Sequence, residues 1–480
     1  MSEKITIGGI KVPEEDWEKT PESVKAAVTS LSERLTAIEE RLGLNSENSS
    51  IPPSKQAPER KKREKRRNGG KRGGQKGHKG FGRNLYETSE CEEVIEHKPQ
   101  TCKHCGGALG GEDPRPYRHQ IVELPDPAVM VVEHQLHGLR CECCGKWTRA
   151  HLPEGTNRSG YGERLQSVVA VLGGEYHLSH SKVAKLLKAL WGVEVSQGSI
   201  SRIRQRVSEK LKSVVEEAKV YVQQSEQANL DETRWAQHDG DGQNPERSSA
   251  WLWVALSHQV AVYRISLSRA GENARALLGD SYRGIVNSDR FSGYNWLDPN
   301  QRQVCWAHLK RDFTRIAERR GVSGEIGCAL LRQTKRLFRW WYRVRDGTLS
   351  YKQFESAMTR LRLSFQALLA EGASFCESNT ERTPLAKTAR TCQQLLKLEP
   401  ALWRFTECDG VEPTNNAAER ALRGAVIWRG LSFGSQSRAG CDFVERMLTV
   451  TTSLRLQGRA VLPFFTQVLR SQPASLLPYP

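Results

Sequence analysis

The sequence predicts a multidomain α/β protein, and three observations support this prediction. Its 480 residues correspond to about three domains of ordinary size. Hydrophobic residues make up 38% of the chain and aromatic residues 7%, a globular composition that excludes collagen-like, mucin-like and wholly disordered proteins. The residue pattern also changes along the chain, from a heptad repeat through a basic tract and a cysteine cluster to alternating strands and helices.

The same composition bears on where the protein works. No apolar run approaches the roughly 20 residues of a membrane span, and the N-terminus lacks the charged-then-apolar pattern of a secretory signal. We therefore expect a cytoplasmic, nucleoid-associated protein with no membrane partner.

Residues 21–44 are predicted to form a coiled-coil helix. Apolar residues recur there at alternating spacings of four and three, flanked by Glu and Arg, as at the a and d positions of a heptad repeat. These positions are Val24, Val28, Leu31, Leu35, Ile38 and Leu42. Because such a stripe needs a partner, we expect it to pair two subunits into a homodimer. The alternative is a helix packed on the body of its own chain.

Residues 45–90 are predicted to be a basic, glycine-rich linker that contacts DNA. The chain has a net charge of +17, and residues 55–83 alone carry +11, which suits a polyanionic partner. The candidate DNA-binding residues are Lys61, Lys62, Arg63, Arg66, Arg67, Lys71 and Arg72. The alternative is a solvated linker without a binding role.

Residues 91–155 are predicted to form a zinc ribbon. Two CxxC pairs, each followed by glycine, can together supply four thiolates to a structural Zn²⁺. The ligands would be Cys102, Cys105, Cys141 and Cys144. Cys143 is an alternative to Cys141, and the segments between the pairs have the apolar pattern of strands.

Residues 160–225 are predicted to be helical and to contain a helix-turn-helix-like DNA-binding region. A first helix over 181–190 meets a turn at Gly192, and Ser196 is placed to cap a second helix. Arg202, Arg204 and Arg206 on the second helix suit bases and phosphates in a major groove. The alternative is an ordinary helical hairpin.

Residues 226–319 are predicted to be the first part of a catalytic core. Three consecutive strands are followed by a helix, a strand, another strand and a helix. This order is close to that of a ribonuclease H-like fold, in which the first and fourth strands lie side by side, so that Asp231 and Asp289 would converge. Two such carboxylates repel unless cations lie between them, and a pair of Mg²⁺ (or Mn²⁺) ions serves phosphodiester chemistry.

A third carboxylate is expected from residues 406–445, the second part of the core. Asn415 or Thr414 is placed to cap a helix that carries Glu419 in its first turns, with Arg420 and Arg423 nearby for DNA phosphates. Asp312 is the alternative third carboxylate.

The spacing between these acids leaves room for further chain. The 130 residues between Asp289 and Glu419 imply a helical insertion over 320–405, and a C-terminal segment occupies 446–480. Trp340 and Trp341 in the insertion lie either on a basic DNA-binding face or in a core.

Motifs along nearly the whole chain resemble those of transposases of the insertion sequence 66 family, a bacterial group with a DDE catalytic triad. They are the N-terminal zipper, NSSIPPSK, GGQKGHKG, the two CxxC pairs, LDET, SDRFSGY, CWAHLKRDF, NNAAERALR and LSFGSQSRAG. The resemblance implies that Asp231, Asp289 and Glu419 are the triad. It also favours a role near the metals for His308, in CWAHLKRDF.

The resemblance implies a DDE transposase that nicks the terminal inverted repeats of its element and joins the 3′ ends to target DNA. The expected partners are double-stranded DNA, a second subunit and possible small accessory proteins of the same element. Two alternatives stay open at this point: an inactive or domesticated DNA-binding regulator, and a metal-dependent nuclease without strand transfer.

Overall fold

The computed structural model describes residues 4–7, 10–45, 47–49, 84–125, 128–375, 381 and 383–478. Contacts divide the chain into two compact units, residues 57–133 and the remainder of the chain. None of the helices in the described ranges is both long and apolar enough to cross a membrane.

The N-terminal elements are a short antiparallel hairpin and two helices. They are β1 (Lys4–Ile7), β2 (Ile10–Pro13), α1 (Glu14–Glu18) and α2 (Glu22–Gly43). The predicted helix is therefore present, and four heptad positions on it are 45–59% exposed: Val24, Leu31, Leu35 and Ile38. This exposure disfavours the alternative in which α2 packs on its own chain.

The cysteine-rich region contains little regular structure in the residues described. A 3₁₀ turn covers Thr88–Glu90, and one antiparallel pair joins β3 (Gly138–Arg140) to β4 (Trp147–Arg149). The strands expected between the cysteine pairs are absent from 106–125 and 128–137, apart from one isolated bridge between Thr101 and Ala108. The expectation is therefore met only at β3, which lies at the end of the second apolar segment, and apolar runs such as Val129–Val132 stay exposed.

Four helices follow, and they match the predicted helix-turn-helix pattern. They are α3 (Glu163–Gly174), α4 (His180–Trp191), α5 (Gln197–Lys210) and α6 (Lys212–Gln223). Gly192 ends α4 in the left-handed conformation, with φ of 67°, and the Ser196 hydroxyl accepts a hydrogen bond from the Ser199 N–H at the start of α5.

The core sheet has five strands in the order β7-β6-β5-β8-β9. Their bounds are β5 (Gln227–Trp235), β6 (Ala250–Leu256), β7 (Ala261–Ser266), β8 (Ile285–Ser288) and β9 (Arg302–Val304), with α7 (Glu272–Leu278) between β7 and β8. The strands β5, β6 and β7 are antiparallel neighbours, whereas β5, β8 and β9 are parallel. The predicted pairing of the first and fourth strands is confirmed.

Helices fill the region between the two parts of the core. They are α8 (Trp306–Ala317), α9 (Val322–Arg345), α10 (Tyr351–Ala373), α11 (Pro384–Lys397) and α12 (Glu399–Trp403). They share a hydrophobic core of their own, built around Trp306, Phe365 and Trp403. Trp340 and Trp341 pack against this core, so the core alternative for these tryptophans is the one the structure supports.

The chain ends in α13 (Asn416–Ser432), α14 (Arg438–Leu456) and α15 (Val461–Leu469). These helices, α3–α6 and the sheet share the other hydrophobic core of the described residues. The predicted boundary at 445/446 falls inside α14, and the helix-turn-helix-like region has no core separate from that of the sheet.

Candidate active site

Asp231 and Asp289 lie at matching positions on neighbouring parallel strands. Asn229 of β5 pairs in register with Asn287 of β8, and each aspartate lies two residues beyond its asparagine. Because alternate residues of a strand share a face, Asp231 lies on the same face of β5 as Asn229. Along the strands it is level with Asp289, the residue that directly follows β8. The two carboxylates therefore lie close together where β8 ends, beside the middle of β5.

The segment that precedes α13 is fastened to these strands by buried hydrogen bonds. The Asn287 side chain donates to the carbonyl oxygens of Glu412 (2.8 Å) and Thr414 (3.1 Å). The Asn415 side chain donates to the Leu230 carbonyl oxygen (2.6 Å), one residue before Asp231. Asn415 or Thr414 was expected to cap α13. Asn415 occupies the N-cap position, but its side chain makes no capping bond and connects α13 to β5 instead. These bonds hold Glu419, in the first turn of α13, beside the strand ends.

The carboxylates influence one another electrostatically. Burial raises the pKa of Asp231 well above its usual range, and the negative charges of Glu232, Asp289 and Glu419 raise it further. Glu419 Oε1 is buried and makes no hydrogen bond within the described residues. The site thus concentrates negative charge in a desolvated place, an arrangement that a cation would stabilise.

Two nitrogen-bearing side chains of α8 approach Glu419. His308 Nε2 lies 3.7 Å and Arg311 Nη2 3.5 Å from Glu419 Oε1. His308 therefore lies next to Glu419, the candidate third carboxylate. Arg311 was not predicted, although its position three residues after His308 on one helix face was a usable signal.

Two other acids near the site are already engaged. Glu232 accepts hydrogen bonds from Arg269 (2.7 and 3.0 Å) and from the Tyr294 hydroxyl (2.5 Å). Asp312, the alternative third carboxylate, is paired with Arg290 at 2.9 Å and Arg315 at 3.2 Å. Because its oxygens serve two arginines, Asp312 is a poorer candidate than Glu419.

A buried arginine positions Asp289. Arg302 is fully buried on β9 and donates to the Asp289 carbonyl oxygen (2.7 Å), the Ser288 hydroxyl (3.0 Å) and the Tyr294 carbonyl oxygen (3.3 Å). Burial lowers the pKa of the Arg302 guanidinium to about 10. The sequence offered no signal for this role, because an arginine in a short strand is usually exposed.

The predicted DNA-binding residues fall into three groups. Lys61, Lys62, Arg63, Arg66, Arg67, Lys71 and Arg72 lie outside the described residues. Arg202, Arg206, Arg420 and Arg423 are exposed on α5 and α13. Arg204 is turned inward: its guanidinium lies 4.1 Å from the centre of the Phe443 ring and contacts His180, and burial lowers its pKa to about 10. The Arg204 side chain therefore packs α5 against α14 rather than facing solvent.

Each predicted cysteine pair forms a tight turn of the same kind. Cys102 N–H donates to the Gly107 carbonyl and Gly106 N–H to the Cys102 carbonyl, and Cys141 with Gly145 and Lys146 repeats this pattern. Backbone N–H groups of His104 and Cys105 lower the pKa of Cys102, as those of Cys144 and Cys143 lower that of Cys141. Within the described ranges, no group of three or more His, Cys, Asp or Glu residues is arranged to hold a metal ion.

Comparison with known proteins defines the class to which this fold and site belong. Residues 158–442, more than half of the chain, match the family model described as Transposase IS66 family. The protein is therefore a transposase, a nucleic-acid-processing enzyme. It belongs to the IS66 family, as its motifs indicated.

Two further similarities cover other parts of the chain. Residues 10–84 match a family of unknown function (DUF6444). The uncharacterized protein y4hP of Sinorhizobium fredii (strain NBRC 101917 / NGR234) is 24% identical over 396 residues, which cover 76% of this chain and 69% of that protein.

Proposed function

We propose that the protein nicks the terminal inverted repeats of an insertion sequence and joins the freed 3′ ends to target DNA. The observation that carries the proposal is the proximity of Asp231 and Asp289 on neighbouring parallel strands of the mixed five-stranded sheet, with Glu419 held nearby through Asn415. Membership of a transposase family supports the DNA substrate.

The donor set fits a divalent cation. Asp231, Asp289 and Glu419 offer only carboxylate oxygens, the ligands that Mg²⁺ and Mn²⁺ prefer. The raised pKa of Asp231 and the Glu419 Oε1 atom, which lies near Arg311 but accepts no hydrogen bond within the described residues, both indicate a site that a cation would stabilise. We propose that these residues hold two such ions per active site, which when bound supply activation of the attacking water or 3′-hydroxyl and stabilisation of the leaving oxygen.

The surrounding residues have separate tasks in this proposal. Arg311, beside Glu419, binds the scissile phosphate, and His308 orients that phosphate or the attacking group. Arg302 holds the backbone at Asp289, and Arg269 with Tyr294 keeps Glu232 away from the metals. Arg202, Arg206, Arg420 and Arg423 contact DNA phosphates, together with the basic tract around 61–72.

Assembly and end recognition complete the proposal. The exposed stripe on α2 pairs two subunits, one for each element end. The two cysteine turns have the same backbone pattern, in which Cys102 corresponds to Cys141 and Cys105 to Cys144. This correspondence favours Cys141 over Cys143 among the four zinc ligands.

A strand-transfer assay on labelled element ends with Mg²⁺ or Mn²⁺ tests the proposal. Asp231→Asn, Asp289→Asn and Glu419→Gln should each abolish nicking and joining while DNA binding persists. Asp312→Asn is the matched control, because its carboxylate is paired with arginines, and it should keep the reaction.

Other outcomes would assign the protein differently. Nicking without joining by the wild type would identify a nuclease, and tight binding without nicking would favour a DNA-binding regulator. Full activity in any of the three triad variants would refute the assignment of that residue.

A further inference from the structure

A cavity lies on the opposite side of α13 from Glu419. It has a volume of about 240 Å³ and is bounded by α13, α14 and the turn between α3 and α4. On α13 its wall is formed by Ala417, Arg420, Ala421 and Gly424, which share one helix face. The proposed active site has no use for this cavity.

The cavity combines apolar walls with a buried carboxylate that has one oxygen without a hydrogen-bond partner among the described residues. Leu256 and Leu448 form buried parts of the wall. The Glu175 side chain is only 8% exposed, and its Oε1 accepts from Arg455 at 2.5 Å, while its Oε2 has no hydrogen-bond partner within the described residues. A buried carboxylate oxygen without a donor is costly, so an N–H donor brought to this wall of the cavity would stabilise it.

A histidine at the cavity is held in an unusual way. His177 has a φ of 58°, in the left-handed region where glycine or asparagine is common and histidine is rarer. Its ring stacks on Trp428, with ring centres 4.9 Å apart. His177 therefore presents an aromatic ring at the cavity.

We propose that this cavity receives an unpaired nucleobase of the DNA strand that the protein processes. A nucleobase presents N–H donors for Glu175 and acceptors for Arg455 on one flat ring, and its faces suit the apolar walls. A phosphate group lacks the N–H donor that Glu175 needs and would face its negative charge. The proposal rests on the proposed function, because it requires DNA at the Glu419 side of α13.

The position of the cavity suits a nucleotide close to the scissile phosphate. Glu419 and the cavity are separated by α13, and a helix with its side chains is about 10–12 Å across. Arg420 and Arg423 are exposed on α13, so a DNA backbone that crosses the helix contacts both arginines on its way. The base should therefore come from within a few nucleotides of the cleavage point.

Gly424 allows the cavity to be filled without disturbing the fold. A Cβ built at Gly424 meets no atom within 4 Å, and the same holds for Gly430 on the same helix, which does not line the cavity. Leucine at either position also favours the helix over glycine. Gly424→Leu is thus the test variant and Gly430→Leu the matched control.

The experiment uses the full chain and element-end duplexes with 2-aminopurine placed in turn at the nucleotides around the cleavage point, in the absence of Mg²⁺. We expect a several-fold rise in fluorescence at one position on wild-type binding, retained in Gly430→Leu and lost in Gly424→Leu. Gly424→Leu, or an abasic site at that position, should weaken binding by about 5- to 150-fold, the range for loss of one stacked base.

A polar variant tests the hydrogen bond itself. In Glu175→Gln the amide oxygen should stay with Arg455, which places the amide NH₂ where the free oxygen was. A donor would then face the N–H of the base, and the fluorescence rise should fall although the cavity keeps its size.

The outcomes separate this proposal from the proposed function. Triad-dependent nicking with no fluorescent position, an abasic end bound as tightly as an intact one, or equal binding by the two leucine variants would overturn the nucleobase site alone. Failure of the wild type to bind the element ends would overturn the proposed function, and the nucleobase site with it.

Discussion

Asn415 should control both stability and catalysis, because it connects the helix of the third carboxylate to the strand of the first. Its side chain is fully buried and donates to the Leu230 carbonyl oxygen at 2.6 Å. The pairing of β5 with β8 ends at Asn229 and Asn287. The side-chain amide of Asn415 therefore donates to the Leu230 carbonyl oxygen in place of a backbone N–H from β8. Asn415→Ala removes that donor.

The expected cost follows from these contacts. A buried carbonyl left without a donor costs about 1–3 kcal/mol, a large part of the roughly 5–15 kcal/mol that stabilises a typical domain. A shift of Glu419 by about 1 Å should slow the reaction on the order of 100-fold. Asn415→Asp should be at least as harmful, because it places an acceptor against the Leu230 carbonyl.

Thermal unfolding and single-turnover nicking of a labelled element end measure the two effects. The matched control is Asn416→Ala, at the next residue, whose side chain makes no hydrogen bond with any described residue. A melting temperature and nicking rate for Asn415→Ala equal to those of Asn416→Ala would refute the reasoning.

Three further predictions concern other parts of the chain. The pKa of Asp231 is raised in the folded state, so its destabilising effect is absent below its unfolded pKa of about 3.9 and grows as pH rises through the folded pKa. In urea unfolding without metal, the free energy of unfolding of Asp231→Asn should therefore fall less with increasing pH than that of the wild type. An equal dependence on pH in the two proteins would contradict this. Leu35→Glu on the exposed stripe of α2 should convert a dimer to a monomer in light scattering, whereas the exposed Glu22→Ala should not. Cys102→Ser and Cys141→Ser should each lower the zinc content of the purified protein, whereas Cys143→Ser should not. An unchanged zinc content in Cys141→Ser would indicate that Cys143 is the ligand.

Much of the core could be predicted from the sequence because its signals are local. Alternating and continuous apolar runs marked β5, β6 and β7, and short connections left few ways to arrange the strands that follow. Gly192 and Ser196 marked the end of α4 and the start of α5, because a left-handed residue and a capping hydroxyl act within one turn. The meeting of Asp231 with Asp289 then followed from strand order alone.

Local signals were insufficient where a side chain meets a distant part of the chain. Arg204 has the sequence context of a DNA contact, yet its guanidinium packs on the Phe443 ring of α14. Asn415 has the context of a helix cap, yet a free carbonyl on β5 takes its amide. The apolar segment 129–132 has the context of a strand, yet no neighbouring strand pairs with it.

The sequence by itself therefore determined the family and the order of the strands and predicted the three carboxylates, since motifs and periodicity are properties of short stretches. The tertiary structure alone decided that Arg302 holds Asp289, that Arg311 stands beside Glu419 and that a cavity opens behind α13. The physical reason is that hydrogen-bond partners and empty volume depend on which segments pack together, and these segments are separated by tens to hundreds of residues.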